Sequence, residues 1–190
     1  MCGLLAFFAL RNGGIRNTRI FDRNPLGLEG PWMTYARMET LRSPKQLTGP
    51  AYGFGSLTFR AWYTCVHGED AWEAMDKIPR PVWMDYLKWY RKVLDIPVEN
   101  HTEVVRIEPE GEYLKLELCG DGAREDRVLT RKLVMATGRE GLGFPNIPDF
   151  MQGVPLEEPS GVIGWRDLSD EFSQRLPTLQ VEDEVVAVDG

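Results

Sequence analysis

The sequence predicts an α/β fold in which a parallel sheet flanked by helices is joined to an antiparallel β-meander. Three observations support this prediction. An apolar run, Leu4–Leu10, is followed by Gly13-Gly14 and by the strand-like residues 18–21. Short alternating segments fill residues 103–130, and a continuous apolar strand then ends at Thr137-Gly138. Helical and strand periodicity therefore alternate along one chain, as in α/β proteins.

The first 22 residues, MCGLLAFFALRNGGIRNTRIFD, have the pattern of the second half of a dinucleotide-binding βαβ unit. In the complete unit, Gly-x-Gly-x-x-Gly precedes the helix, and an acidic residue about 20 residues later binds the ribose hydroxyls. Met1-Cys2-Gly3 fits the last three positions of that fingerprint, and 18 residues separate Gly3 from Asp22. The first strand is therefore expected upstream of Met1, so we expect the sheet to lack its first strand.

Two simpler interpretations of this segment exist. A signal peptide would need basic residues before Leu4 and a small-x-small cleavage site, and the sequence has neither. The run is also too short for a membrane span, which needs about 20 apolar residues. The other alternative is an ordinary amphipathic helix that binds no nucleotide.

Cysteine and histidine usage argues against a metal site. The three cysteines lie far apart without C-x-x-C spacing, so neither a disulfide framework nor a zinc site is predicted. His67 and His101 are the only histidines, and neither lies among acidic residues at ligand spacing. We expect no metal and assign both histidines to the surface.

The net charge of −7 resides in the last 40 residues, where nine acids face two arginines. Residues 1–150 are neutral, with 20 basic and 20 acidic side chains. No basic stripe is present for nucleic acid or an anionic membrane, so neither is an expected partner. The shift in composition predicts a domain over 1–150 and an acidic tail over 151–190. That tail is either poorly structured or the remnant of a second domain.

Residues 23–80 are rich in Gly, Pro and aromatic side chains, with helical turns predicted at 59–66 and 71–75. The aromatic residues either line a flat ligand or stabilise an irregular region; they are Trp32, Tyr35, Tyr52, Phe54, Trp62 and Trp72. The clearest helix covers 81–94, where apolar residues recur at helical spacing after Pro79 and Pro81.

Strands are predicted at 103–107, 113–118 and 127–136, with glycine turns between them. The last strand runs through Leu133-Val-Met-Ala-Thr-Gly138, and Gly138 allows a ligand to approach the strand end closely. Beyond Met151 only the segment 184–188 has a strand-like pattern.

Three separated motifs occur in this order: Met-Cys-Gly with Asp22, Thr102-Glu-Val104, and Val134-Met-Ala-Thr-Gly138 followed by Phe-Pro-Asn-Ile-Pro-Asp. Over residues 1–150 this combination resembles the FAD- and NADPH-dependent class B flavoprotein monooxygenases, near the flavin-containing and N-hydroxylating branch. The stretch from Gly30 to Pro44 is similar to the segment that passes the flavin in that group. The resemblance implies a Rossmann-like FAD-binding domain.

The resemblance also implies roles for particular residues. Gly3 would face the pyrophosphate and Asp22 the adenosine ribose, while the backbone of Val104 would contact adenine. The remaining candidates are Thr137 and Gly138 at the strand end, Trp32, Arg42 and Ser43 near the isoalloxazine, and Arg23, for which a solvated surface charge is the alternative. A carboxylate at Asp22 favours FAD over NADP, because it accepts hydrogen bonds from ribose hydroxyls and repels a 2′-phosphate.

The implied function is an NAD(P)H-dependent monooxygenase that oxygenates a small molecule through a flavin C4a-peroxide, in the cytoplasm. The cofactor carries that chemistry, so no catalytic acid or base is assigned. The second fingerprint, which would bind NADPH, is absent from the sequence. The alternatives are a non-catalytic remnant or FAD-binding subunit that needs a partner chain, and a related amine- or disulfide-oxidising flavoprotein. The sequence has no redox Cys pair, which argues against a disulfide-oxidising flavoprotein.

Overall fold

The computed structural model describes residues 1–34 and 36–138, together with the backbone of the strand at 185–189. The helices are α1 (Cys2–Asn12), α2 (Phe59–His67), α3 (Glu69–Ala74) and α4 (Arg80–Val93), with a short 3-10 helix at Gly55–Leu57. The strands are β1 (Thr18–Asp22), β2 (Val98–Glu99), β3 (Glu103–Glu110), β4 (Tyr113–Cys119), β5 (Arg127–Thr130), β6 (Lys132–Ala136) and β7 (Val185–Asp189). In these ranges no helix combines the length and the apolar character that crossing a membrane requires.

Within the described ranges, four parallel strands form the first sheet, in the order β2-β1-β7-β6. The predicted strand at 184–188 is confirmed as β7, one residue further along. It pairs with both β1 and β6 over five residues each. Because short connections place consecutive parallel strands side by side, the position next to β1 is where a βαβ unit puts the strand that leads into α1. In this chain β7 occupies that position.

The meander is confirmed as a three-stranded antiparallel sheet in the order β3-β4-β5. The prediction of one continuous strand over 127–136 is wrong. Residues 127–130 pair with β4, whereas residues 132–136 pair with β7 in the other sheet. Between them the Thr130 hydroxyl donates a hydrogen bond to the carbonyl oxygen of Lys132 at 2.9 Å, which stabilises the bend. The chain therefore changes sheets at Arg131.

Alternation along β1 separates two cores. Ile20 is fully buried among the helices, while its neighbour Phe21 is fully buried against the antiparallel sheet, with Leu116 and Leu118. Successive side chains of a strand point to opposite faces, so two adjacent apolar residues are buried on the two sides of the sheet. The result is a parallel sheet between a helical layer and the meander.

The predicted helix at 81–94 is confirmed as α4, and its buried face forms the centre of the helical layer. The Tyr86 hydroxyl donates a hydrogen bond to the carbonyl oxygen of Leu57 at 2.6 Å, and burial raises the pKa of Tyr90 to about 12. The helical turns predicted at 59–66 and 71–75 are present as α2 and α3.

The aromatic residues of 23–80 do not share one role. Trp62 and Trp72 are buried in the helical core, where both contact Phe59, so they do not line a ligand site. Tyr52 and Phe54 are half exposed and make edge contacts with Phe8. Tyr35 lies outside the described residues, as do the Pro-rich stretch after Gly138 and most of the acidic tail.

Two glycines allow the loop after β4 to lie directly on the turn after β2. A β-carbon at Gly120 would clash with the carbonyl oxygen of His101, and one at Gly122 would clash with that of Asn100. Gly122 N–H also donates a hydrogen bond to the His101 carbonyl oxygen at 3.0 Å. The backbone of residues 100–102 is therefore held in place by a loop from the other sheet.

We expect Gly122→Ala to lower the free energy of unfolding by about 1–3 kcal/mol, the usual cost of overpacking. Gly55→Ala is the matched control, because its β-carbon meets nothing within 4 Å. Neither glycine has a positive φ, so backbone strain does not separate the two variants. Urea unfolding measures both, and equal stability of the two variants would contradict the close approach.

We expect Ala187→Pro to destabilise the chain by at least about 1–3 kcal/mol, because it leaves a buried backbone acceptor unpaired in the central strand. Ala187 pairs with Ile20 and Val134 on its two sides. Ala187→Ser keeps the N–H group and serves as control. Thermal unfolding followed by circular dichroism tests the pairing. If β7 pairs on both sides, the melting temperature of Ala187→Pro lies well below that of Ala187→Ser.

Candidate functional site

The candidate site lies at the carboxyl edge of the parallel sheet. Asp22 ends β1 and pairs with Asp189 of β7, which pairs in turn with Ala136 at the end of β6. With strands about 4.8 Å apart, the ends of β1 and β6 lie roughly 10 Å from each other. Thr137 and Gly138 directly follow β6, and Gly138 is exposed with φ +65°. Ligands of open α/β sheets bind at this edge.

The first turn of α1 reaches the same edge. Met1 and Leu4 line a small cavity together with Asp22. Gly3 is buried in this turn, and no side chain caps the helix start. The first N–H groups of a helix have no partner within the helix, and they carry the positive end of its dipole. An anion at this position would be stabilised by both.

The Asp22 carboxylate is fixed by its neighbours. The side chain is 1% exposed. Its Oδ1 accepts a hydrogen bond from the backbone N–H of Asn24 at 2.8 Å. The Asp22 carbonyl oxygen accepts one from the N–H of Thr102 at 3.0 Å. The end of β1 is therefore joined both to the segment that follows it and to the entry of β3.

The cavity beside Asp22 has a volume of about 20 Å³, enough for about one water molecule. Three exposed residues line it: Leu26 and Met1, at 66% and 38%, and Lys88, whose side chain is 47% exposed. A ribose can reach the carboxylate from this side only if these side chains move.

A wider depression of about 220 Å³ lies on the other side of the β1 end. It is lined by Arg23, His101, Glu103, Cys119, Gly120 and Asp121. Val104 follows Glu103 in the edge strand β3, where its half-buried side chain packs against the second core. The structure thus brings Arg23 and the start of β3 together, next to Asp22.

The residues predicted to approach the flavin lie elsewhere. Trp32 is half-buried and packs edge-on against Trp83, so it contributes to the helical core. Arg42 and Ser43 are exposed, and neither lines the cavity beside Asp22.

The segment that carries Arg42 and Ser43 is fastened on both sides. The Leu41 N–H donates to the Ile78 carbonyl oxygen at 2.8 Å. The Lys45 ammonium donates to the carbonyl oxygens of Trp72 and Met75, at 2.7 Å each. Lys45 therefore satisfies the end of α3 while it holds the exposed loop.

Sequence reasoning missed a polar cluster next to the site, formed by Glu29, Arg91 and Asn100. Arg91 donates hydrogen bonds to both of the others, and Glu29 and Arg91 line the same cavity as Asp22. In the sequence Arg91 is one of three basic residues near the end of a helix. Its position on the buried side of α4, close to Leu87, is the one pattern that indicates a role beyond the helix dipole.

A family model described as FAD-NAD(P)-binding matches residues 3–140. The chain is 47% identical over 180 residues to a FAD-dependent urate hydroxylase from Xanthomonas campestris pv. campestris, which covers 93% of this chain and 37% of that protein. The chain thus spans about 37% of the length of this relative.

Two solved structures of ornithine hydroxylase from Pseudomonas aeruginosa share the fold. The first has a TM-score of 0.58 at 19% identity and covers 79% of this chain and 38% of that protein. The second, a reduced form, has a TM-score of 0.55 at 17% identity and covers 80% and 38%. The resemblance to flavoprotein monooxygenases and the α/β fold with its added meander are confirmed. The chain therefore belongs to the FAD-NAD(P)-binding family, and the match runs from α1 past the end of β6.

Proposed function

We propose that this chain binds FAD as the FAD-binding part of an NADPH-dependent monooxygenase that acts on a small molecule. One observation carries the proposal: Asp22, the first turn of α1 and the end of β6 meet at a single edge of the parallel sheet. A carboxylate, a group of helix N–H donors and a glycine strand end are the three parts that a dinucleotide needs at this place.

The residues present fit the adenosine half of FAD. The Asp22 carboxylate can accept hydrogen bonds from the ribose hydroxyls, and the first turn of α1 can bind the diphosphate. We assign the depression lined by Arg23, His101 and Glu103 to the adenine, because Glu103 directly precedes Val104 in β3. For the flavin half, the proposal relies on Arg42 and Ser43 in the loop held by Lys45.

The charges at the edge favour FAD over NADP(H). Asp22 and Glu29 both line the cavity at the end of β1. A 2′-phosphate on the ribose would bring additional negative charge to these carboxylates, whereas the hydroxyls of FAD donate hydrogen bonds to them. NADPH would therefore bind in another part of the protein, whose motif this chain lacks.

Bound FAD supplies, once reduced, the activation of molecular oxygen for transfer to the substrate. The residues of this chain would bind and orient the cofactor, and none of them is assigned as a catalytic acid or base. The name of the curated relative makes urate the first substrate to test. Exposed free thiols at Cys2, Cys65 and Cys119 favour a reducing compartment, so we place the protein in the cytoplasm.

A second candidate function is a FAD-binding subunit, or a non-catalytic remnant, that needs a partner chain. The observation that favours it is that the described residues at this edge are assigned to bind and orient the cofactor, and none of them is assigned a catalytic step. Photoreduction of the FAD-loaded chain, which does not require NADPH, separates the two candidates. The monooxygenase predicts that urate is hydroxylated when oxygen is admitted, and the subunit predicts that the flavin is reoxidised with urate unchanged.

The first experiment is a FAD titration of the purified chain, followed by quenching of flavin fluorescence. We expect saturable binding of one FAD per chain, and ADP should compete because it carries the adenosine half. FMN, which lacks adenosine, should compete poorly. A chain that leaves flavin fluorescence unchanged at every concentration would refute the proposal.

We expect Asp22→Asn to weaken FAD binding about tenfold, since it removes a charge-assisted acceptor for ribose hydroxyls worth about 1.4 kcal/mol. The asparagine retains an oxygen that can accept the Asn24 N–H, so unfolding should change little. Asp76→Asn, at an exposed position outside the site, is the control. The preference for ADP over its 2′-phosphorylated analogue should also decrease in Asp22→Asn, and an unchanged preference would count against the assigned role.

A further inference from the structure

Arg91 joins three separate parts of the chain. It lies in the last turn of α4, and its guanidinium donates from Nη1 to Glu29 Oε1 at 2.7 Å and to Asn100 Oδ1 at 2.9 Å. Its Nη2 donates to the Val98 carbonyl oxygen at 2.9 Å, and its Nε donates to that of Ile96 at 3.3 Å. One side chain thus connects the helix to β2 and to the segment after β1.

Glu29 and Asn100 carry these contacts onward. The amide of Asn100 donates to Glu29 Oε1 and to the Asn24 carbonyl oxygen, both at 2.9 Å. Glu29 Oε2 accepts the N–H of Gly27 at 2.7 Å. The segment 24–29 is therefore held at its start by Asn100 and at its end by Glu29.

This network reaches Asp22 through one more hydrogen bond. Asn24, whose carbonyl oxygen is held by Asn100, donates its own N–H to Asp22 Oδ1 at 2.8 Å. Asp22, Glu29 and Arg91 also line the same cavity. The direction of the Asp22 carboxylate therefore depends on where Arg91 holds Asn100 and Glu29.

We propose that Arg91 is a positioning residue for the adenosine end of the cofactor site. It fixes the two segments that flank Asp22, namely 24–29 after β1 and 98–102 around β2. The inference rests on the proposed function, because the ligand it concerns is FAD. Arg91 itself is assigned no contact with FAD.

Charge gives Arg91 a second effect on the same site. The Arg91 and Glu29 side chains are only 19% and 15% exposed. Without the guanidinium, the cavity would hold two carboxylates with less compensation, and binding of an anionic cofactor nearby would become less favourable. Arg91 thus compensates the charge that Glu29 brings to the edge.

Lysine cannot replace this arrangement. The planar guanidinium offers five N–H donors in a fixed geometry. Its three nitrogens donate the four hydrogen bonds described above. An ammonium at position 91 would retain the charge, but it would lose the simultaneous contacts with Glu29, Asn100 and Val98. Arg91→Lys therefore separates positioning from charge.

The alternative is that Arg91 merely stabilises the packing of α4. A purely structural role predicts lower stability without a change in FAD affinity measured well below the melting temperature. The positioning role predicts weaker binding of both FAD and ADP by the same factor, since both carry the adenosine diphosphate. The two roles thus differ in the affinity for FAD and ADP, which a loss of stability alone does not alter.

The test uses Arg91→Lys, Arg91→Met and Asn100→Ala. Arg60→Lys and Arg60→Met are the matched controls, because Arg60 pairs with Glu69 at 2.5 Å on the surface with 59% and 55% of the side chains exposed. Each variant is measured for melting temperature, for FAD and ADP dissociation constants, and for amide hydrogen exchange at Asn24, Gly27 and Thr102.

We expect Arg91→Lys to bind FAD and ADP about tenfold more weakly, and Arg91→Met to bind them more weakly still because it also removes the charge, with faster exchange at those three amides. Asn100→Ala removes the neutral link between Arg91 and Asn24, and it tests the same network without changing the charge at the edge if an Arg91 variant does not fold. FAD and ADP constants within twofold of the wild type in the Arg91 variants, or in Asn100→Ala if they do not fold, would overturn the inference. A loss of affinity no larger than in the Arg60 controls would do the same. Failure of the wild-type chain to bind FAD would instead refute the proposed function.

Discussion

Parallel pairing of β1 and β6 with the same strand is the constraint on which the site depends. Because β7 pairs in register with both, the two strands end level with each other at one edge of the sheet. Asp22 and Thr137 are 115 positions apart in sequence, yet they are separated in space by one strand. The helix that precedes β1 starts at the same edge, so its dipole and the carboxylate act on one region.

The two hydrophobic layers hold this edge rigid. Ile20 and Phe21 anchor β1 to opposite cores, which leaves the strand no freedom to slip by a residue. Beyond the strand, side-chain and backbone hydrogen bonds replace hydrophobic contacts as the means of support. Asn24, Asn100 and Arg91 connect the end of β1 to α4. The loop after β4, which contains Gly120 and Gly122, packs against the turn after β2.

Local pattern was enough to predict α1, β1, α4 and the meander, because their apolar periodicity and their glycine and proline boundaries act over short distances. It also identified Asp22, whose interval from Gly3 is a property of the chain alone. Contacts between residues far apart in the sequence were not predictable. Residues 127–136 contain no glycine or proline to indicate that the strand changes sheets at Arg131. Arg91 could not be distinguished from Lys88 and Lys92 by composition, because its role depends on partners at positions 29 and 100 that only the fold brings near.

The position of β7 has a consequence for synthesis on the ribosome. The centre of the parallel sheet is made of residues 185–189, which emerge after both of its neighbours. Until then the N–H and C=O groups of β1 and β6 that pair with β7 have no partner strand, and other nascent chains can pair with them instead. Assembly of this sheet therefore waits for residues that are synthesised well after β6, and a chaperone that shields exposed strands has its greatest effect in the interval before those five residues arrive.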